Sequence, residues 1–296
     1  YRSDLLIFFT WVLLNLNNKR FVDIAKREFS RFQSHALETW KWSPKRVRRV
    51  KSTISSMSLF IENMLDEEPE FEGFKRLVNK VENPANSEVR EKTVLSDDEV
   101  QLILDTLLEK GKLQACCAIA ILAYSGMRKA ELLQMRPEYF DEEHIVFDAL
   151  HQTELIRAKG RGKNGHQMKK WIMIQGDKYI MPWIEKRKEL GVDCEWLFCH
   201  RDGDSWKKME YVDHYMDLAS NIVNKPVYAH SFRHFVCTKL LSDYNLPSEV
   251  VREFYQWESV EMLKIYNDRS AVDDFGKYFS ADGIVKQEEK SLSDLK

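Results

Sequence analysis

At 296 residues, 44% of them hydrophobic and 31% charged, the chain exceeds one ordinary core and has the length for two domains. A net charge of −2 excludes a surface coated uniformly in basic residues, and five cysteines, an odd number without framework spacing, exclude a disulfide scaffold and point to a reducing cytoplasm. The longest apolar run, Leu5 to Leu16, falls short of the ~20 residues a bilayer requires, and it is not framed by a basic n-region and a small-residue cleavage site; Tyr1 in place of Met leads us to expect a native start upstream.

The charge is segregated. Residues 1–60 carry twelve Lys and Arg against four Asp and Glu, whereas residues 61–100 carry five against twelve, the pattern of a directed surface. Apolar residues recur at helical spacing from Leu5 to Leu16, Phe21 to Trp40 and Val47 to Met64, so the first sixty-odd residues are predicted to be helical. Ser43-Pro44 fits an N-cap followed by a first-turn proline, which starts a helix with the cations Lys45, Arg46, Arg48, Arg49 and Lys51 and marks them as candidate phosphate ligands. A solvated helix face is the plain alternative for such a run.

An acidic stretch from Glu62 to Glu91, punctuated by Pro69 and Pro84, precedes Ser96-Asp97-Asp98-Glu99, a capping box. A domain boundary is expected near residues 82 to 95. Helices follow from Leu104 to Tyr124. Three segments, His144–Phe147, Thr153–Arg157 and Lys170–Ile174, have strand character and predict a small antiparallel sheet. From Met181 onward the pattern is helical again, with Pro182, Pro226 and Pro247 expected at helix starts or connections.

Four separated segments hold residues suited to a phosphodiester. They are Ser125 to Leu132 with Arg128 and Glu131; Ala158 to Lys163 with Lys159, Arg161 and Lys163 in a hairpin; His230-Ser231-Phe232-Arg233-His234; and Trp257 through Tyr266. Tyrosine has a reference pKa near 10, so about one part in a thousand is phenolate at pH 7, and Tyr266 needs cations to become a nucleophile. Arg128 and Arg233 suit that task, because a planar, permanently charged guanidinium matches two phosphate oxygens. A deoxyribose 5′-oxygen leaves poorly without a proton donor. Cys194, Cys199, His200 and His214 are metal-type residues, but their spacing follows no ligand pattern, so they read as structural and no metal is expected.

This order of Arg with an acidic residue three positions on, a hairpin Lys, His-x-x-Arg, and Trp nine residues before Tyr resembles the tyrosine recombinase (phage integrase) family over roughly residues 93 to 280. The resemblance implies a mainly α fold with a small antiparallel sheet, divided into a helical, SAM-like core-binding domain (1–85), a catalytic domain (93–280) and a tail (281–296). It implies Arg128, Lys159, His230, Arg233, Trp257 and Tyr266 as catalytic residues, with Lys159 as general acid and Lys163 as its rival. Glu131 supports the arginine, and Lys45, Arg46, Arg48, Arg49, Lys51, Arg161 and Lys163 would bind DNA. Two positions depart from the pattern: Gln256 stands where glycine is common and Phe232 where leucine is. The implied partners are double-stranded DNA, a homotetramer on two DNA sites and accessory DNA-bending or directionality proteins. No cofactor and no membrane enter, and the setting is the cytoplasm of a cell hosting a phage or mobile element. A type IB topoisomerase-like enzyme and a DNA-binding descendant that no longer cuts are the alternatives.

Overall fold

The computed structural model describes residues 1–85, 94–158 and 166–263, together with the backbone of Phe279–Ser280 and Gly283–Ile284, an antiparallel pair. The chain forms two compact units, Tyr1–Glu91 and Lys92–Lys296. Among the described residues no helix is long and apolar enough to cross a membrane.

The first unit contains α1 (Arg2–Asn15), α2 (Lys26–Glu38) and α3 (Pro44–Met64). The expected helix from Phe21 starts late: Phe21–Asp23 is a 3-10 turn, and α2 begins only where Glu28 can accept the backbone N–H of Ala25 at 2.7 Å. Ser43 caps α3 by accepting from Arg46 N, with Pro44 in the first turn. The core is aromatic. Phe8 stacks on Phe29 at 5.8 Å and meets Phe32 edge-on at 5.1 Å, and Val50 and Ile54 of α3 close the cluster. Asp4, buried on α1, accepts from Arg49 at 2.8 Å and from Thr53 at 3.2 Å, so α3 supplies the partners that a buried carboxylate requires.

The second unit is built around α5 (Leu113–Ser125), whose Ala115 to Ala123 segment is buried throughout. A helix apolar on all sides must sit inside a core. The helices around it are α4 (Asp97–Glu109), opened by the reciprocal Ser96–Glu99 capping box, the short α6 (Lys129–Leu132), α7 (Asp177–Glu189), α8 (Asp213–Val223), α9 (Ala229–Thr238) and α10 (Ser248–Tyr255).

The small sheet is divided differently from the expectation. Strands β1 (Ile145–Val146), β2 (Leu150–Gln152) and β5 (Trp171–Met173) form one antiparallel sheet, and β3 (Ile156–Ala158) pairs with β4 (His166–Met168) in a separate hairpin. Phe147 drops out of the first strand because it and Asp148 take positive φ, 57° and 52°, in the turn before β2. Two further expectations are corrected. Pro182 lies inside α7, which starts at Asp177, so its missing N–H falls mid-helix instead of at the first turn. The stretch after α7 is not all helical. Strands β6 (Cys199–Asp202) and β7 (Ser205–Lys208) form a hairpin whose two-residue loop starts with Gly203 at φ 59°.

Candidate active site

The site grows from the end of α5. Gly126 terminates that helix in the left-handed region at φ 60°, and a Cβ on it would stand 2.3 Å from the Tyr255 hydroxyl, so the position requires glycine for both conformation and space. Its carbonyl accepts from Arg233 Nη1 at 2.8 Å. Arg233, on α9, is 0% exposed. Its guanidinium carbon lies 4.4 Å from the Tyr255 ring centroid and 5.0 Å from that of Trp257, and the two rings stack on each other at 4.5 Å. A buried guanidinium is tolerated only with such partners, and each aromatic face supplies about 0.5–2 kcal/mol.

Two residues after Gly126, Arg128 opens α6. Its backbone N–H donates to Glu131 Oε2 at 2.9 Å and its Nη1 donates to Glu131 Oε1 at 3.0 Å, so one carboxylate caps the helix and orients the side chain. Glu131 is 1% exposed. Burial is the largest single influence on its carboxyl and pushes its pKa up. The Lys170 charge, together with the Arg128 N–H, charge and side-chain bond, outweighs it and holds the pKa below the usual carboxylate value.

Lys170 was not singled out from the sequence. Its Nζ lies 3.4 Å from Glu131 Oε2, the same oxygen that accepts the Arg128 backbone N–H, and the residue is 4% exposed. Burial brings its ammonium down to about 8, against an upward pull from Glu131 and a further downward push from Arg233 and Arg128. The backbone is fixed: Lys170 N donates to Thr153 Oγ1 at 2.9 Å and its carbonyl accepts from Thr153 N at 2.9 Å, extending the β2–β5 ladder by one residue.

The remaining expected residues are placed as follows. His230 is exposed in the first turn of α9, its ring 5.2 Å from that of buried His234, and with Arg128 it borders an open cleft of about 740 Å³ also lined by Met216, Val227 and Tyr228. Trp257 is buried against Tyr255 and Arg233. Gln256 adopts φ 49°, the backbone state that glycine reaches at no steric cost, and its side chain donates to the carbonyl of Lys169 at 3.1 Å. Phe232 is a fully buried member of the main core. Lys159, Arg161, Lys163 and Tyr266 lie outside the described residues.

In the first unit, the basic run is partly committed to the fold. Arg48 donates to the Pro84 carbonyl, Arg49 to Asp4, and Lys51 to the Val81 carbonyl and to Asn83. Lys45 and Arg46 are exposed, with the Arg46 guanidinium 4.0 Å over the Trp42 ring. Of the cysteines and histidines read as structural, Cys199 is buried and its Sγ accepts from buried Arg187 at 2.9 Å.

The family model described as Phage integrase family matches residues 93–272. The SPbeta prophage-derived recombinase-like protein YomM of Bacillus subtilis (strain 168) is 28% identical over 258 residues, which cover 86% of this chain and 76% of that protein. Among solved structures, the XerH site-specific recombinase bound to palindromic difH substrate, a post-cleavage complex, aligns with a TM-score of 0.65 at 18% identity, over 93% of this chain and 75% of that one. The lambda integrase (75–356) dimer bound to a COC′ core site aligns with a TM-score of 0.57 at 16% identity, over 90% and 89%. These two share the fold, mainly helical with small antiparallel sheets, and the family match covers more than half of the chain. The chain belongs to the phage integrase family of tyrosine recombinases.

Proposed function

We propose that this chain is a site-specific recombinase that cuts and rejoins duplex DNA through a 3′-phosphotyrosyl intermediate on Tyr266. The observation that carries the reading is the pair of constrained guanidinia, Arg233 locked to the Gly126 carbonyl and Arg128 to Glu131, on either side of one three-residue loop. Fixed cations that require no reorganisation are what a phosphoryl transition state needs, each supplying about 3 kcal/mol by the scale of oxyanion-hole donors. The phenolic oxygen of Tyr266 attacks phosphorus, its proton passing to His230, and the bond to the 5′-oxygen breaks as Lys159 delivers a proton to it. A 5′-hydroxyl of the partner strand then attacks the phosphotyrosine and returns the tyrosine. The ester conserves the energy of the broken bond, so joining draws on no nucleotide cofactor. Two DNA sites and four protomers complete the exchange, with accessory DNA-bending or directionality proteins as further partners.

The test uses duplexes whose sequence comes from genomic fragments bound by the protein, nicked near the crossover so that cleavage traps the enzyme. Wild type is expected to form a denaturant-resistant adduct and Tyr266→Phe none. An adduct with Tyr266→Phe would remove Tyr266 from the mechanism, and no adduct with wild type would favour a DNA-binding protein that does not cut. Holliday junctions from paired sites separate recombination from a topoisomerase-like reaction.

A further inference from the structure

The recombinase reading requires Arg128 to face phosphate, yet Arg128 is two residues beyond the left-handed Gly126 and its side chain is about one-third exposed. Among the described residues its side chain has one hydrogen-bond partner, Glu131. A carboxylate that alone faced an arginine would bind it bidentately and cancel its charge. Here Glu131 divides its oxygens: Oε1 takes Arg128 Nη1, while Oε2 takes the Arg128 backbone N–H and stands 3.4 Å from Lys170 Nζ. Lys170 is delivered to this point by a strand end whose two backbone bonds to Thr153 leave it little freedom, and the carbonyl of its neighbour Lys169 is held by Gln256.

We propose that Lys170 is a positioning residue for the proposed strand cleavage: its buried ammonium holds Glu131 in the divided arrangement, so that Arg128 is aimed by one bond and keeps its other donors and its charge for the phosphate. The inference rests on the recombinase reading and deepens it.

The charges decide how the device responds to pH. The groups that act on Lys170 are Glu131 and Arg128 from α6 and Arg233 from α9. Glu131 stays ionised near neutrality and the arginines stay charged, so of these four Lys170 alone changes state between pH 7 and 10. With its ammonium charged, the group carries three positive charges against one negative. Loss of the proton leaves Glu131 to Arg128 alone and lowers the positive field where phosphate would sit.

Two measurements test the proposal. In single-turnover cleavage, Lys170→Met should be slowed roughly tenfold or more, the scale for removing a partner that orients a liganding group, while DNA affinity changes far less. Lys170→Arg, which stays charged at all accessible pH, should recover most of the rate and move the alkaline fall of the pH–rate profile upward. The second measurement needs no DNA. In protein labelled with ¹⁵N-arginine, the Arg128 Nε–H resonance, assigned with Arg128→Lys, should be sharp in wild type at pH 7 and broadened or lost in Lys170→Met. An unchanged Arg128 resonance in Lys170→Met overturns the proposal, and so does an alkaline limb that stays in place in an active Lys170→Arg. If wild type forms no covalent adduct the recombinase reading fails, and the resonance still decides whether Lys170 positions Arg128.

Discussion

The carbonyl of Gly126 and the guanidinium of Arg233 meet at 2.8 Å across 107 residues of sequence, tying the end of α5 to α9. The bond exists because Gly126 turns left-handed and because its missing side chain admits Tyr255, whose ring then lies against the same arginine. One glycine therefore sets the position of a buried cation and of its aromatic support.

Gly126→Ala should destabilise the second unit by about 2–5 kcal/mol, the sum of a left-handed alanine and a methyl placed on the Tyr255 hydroxyl. Combining it with Tyr255→Phe removes the atom at 2.3 Å but leaves ring carbons at 3.0 Å, so part of the loss should return. Urea unfolding of the two single variants and the double variant measures the coupling. Strict additivity would mean that the hydroxyl is not what the methyl strikes.

Lys170 makes a statement about stability at alkaline pH. Its folded-state value is about 8, below the 10.5 of an unperturbed lysine, so between those values the unfolded chain binds the proton and the folded protein does not. Stability therefore rises with pH across that window, relieving a penalty on the order of 3 kcal/mol that is fully present below pH 8. Tyrosines and other lysines also titrate there, and comparison with Lys170→Met cancels them. Urea midpoints from pH 7.5 to 10.5 should show wild type gaining on Lys170→Met as pH rises. Parallel curves would mean that the ammonium is not perturbed.

The parts of this site that are local in sequence were legible there. Arg128 and Glu131 are three apart at a helix start, where a carboxylate caps the N–H of the residue before the turn, and His230 with Arg233 share a helix face. The Ser43 and Ser96 caps read directly for the same reason. Lys170 was not legible, since a lysine beside a short strand reads as solvent-facing until the helix carrying Glu131 is folded over it. Gln256 looked like a departure from pattern because its left-handed backbone is compensated by a bond to Lys169, 87 residues away. The β6–β7 hairpin had a signal in Asp202-Gly203, but its strand residues after Cys199 are exposed or half-buried, so no apolar alternation marked it. The basic run from Lys45 to Lys51 gave no sign of its carbonyl partners, because Arg48 and Lys51 reach residues of the segment after α3 that lie 36 and 30 positions away.

The proton donor to the 5′-oxygen is the assignment with two candidates, Lys159 and Lys163, both between β3 and β4. A 5′-bridging phosphorothioate separates them, because the sulfur leaves as a thiolate of far lower pKa than an alkoxide and needs no proton in the transition state. If Lys159 is the acid, Lys159→Ala should cleave ordinary DNA slowly and recover on the sulfur-substituted strand, whereas Lys163→Ala should be mildly impaired on both. Rescue confined to Lys163→Ala transfers the role to Lys163. Rescue of neither makes the hairpin a DNA-positioning element. Both lysines can also meet backbone phosphate, which would flatten the salt dependence of binding in either alanine variant, so affinities are measured at several salt concentrations and rates compared only at saturating protein. Lys170→Met supplies the control that gives the experiment its discrimination. A residue that acts on Arg128 through Glu131 stabilises the charge on the non-bridging oxygens, which oxygen and sulfur leaving groups share, so its defect should persist on the phosphorothioate while that of the true acid disappears.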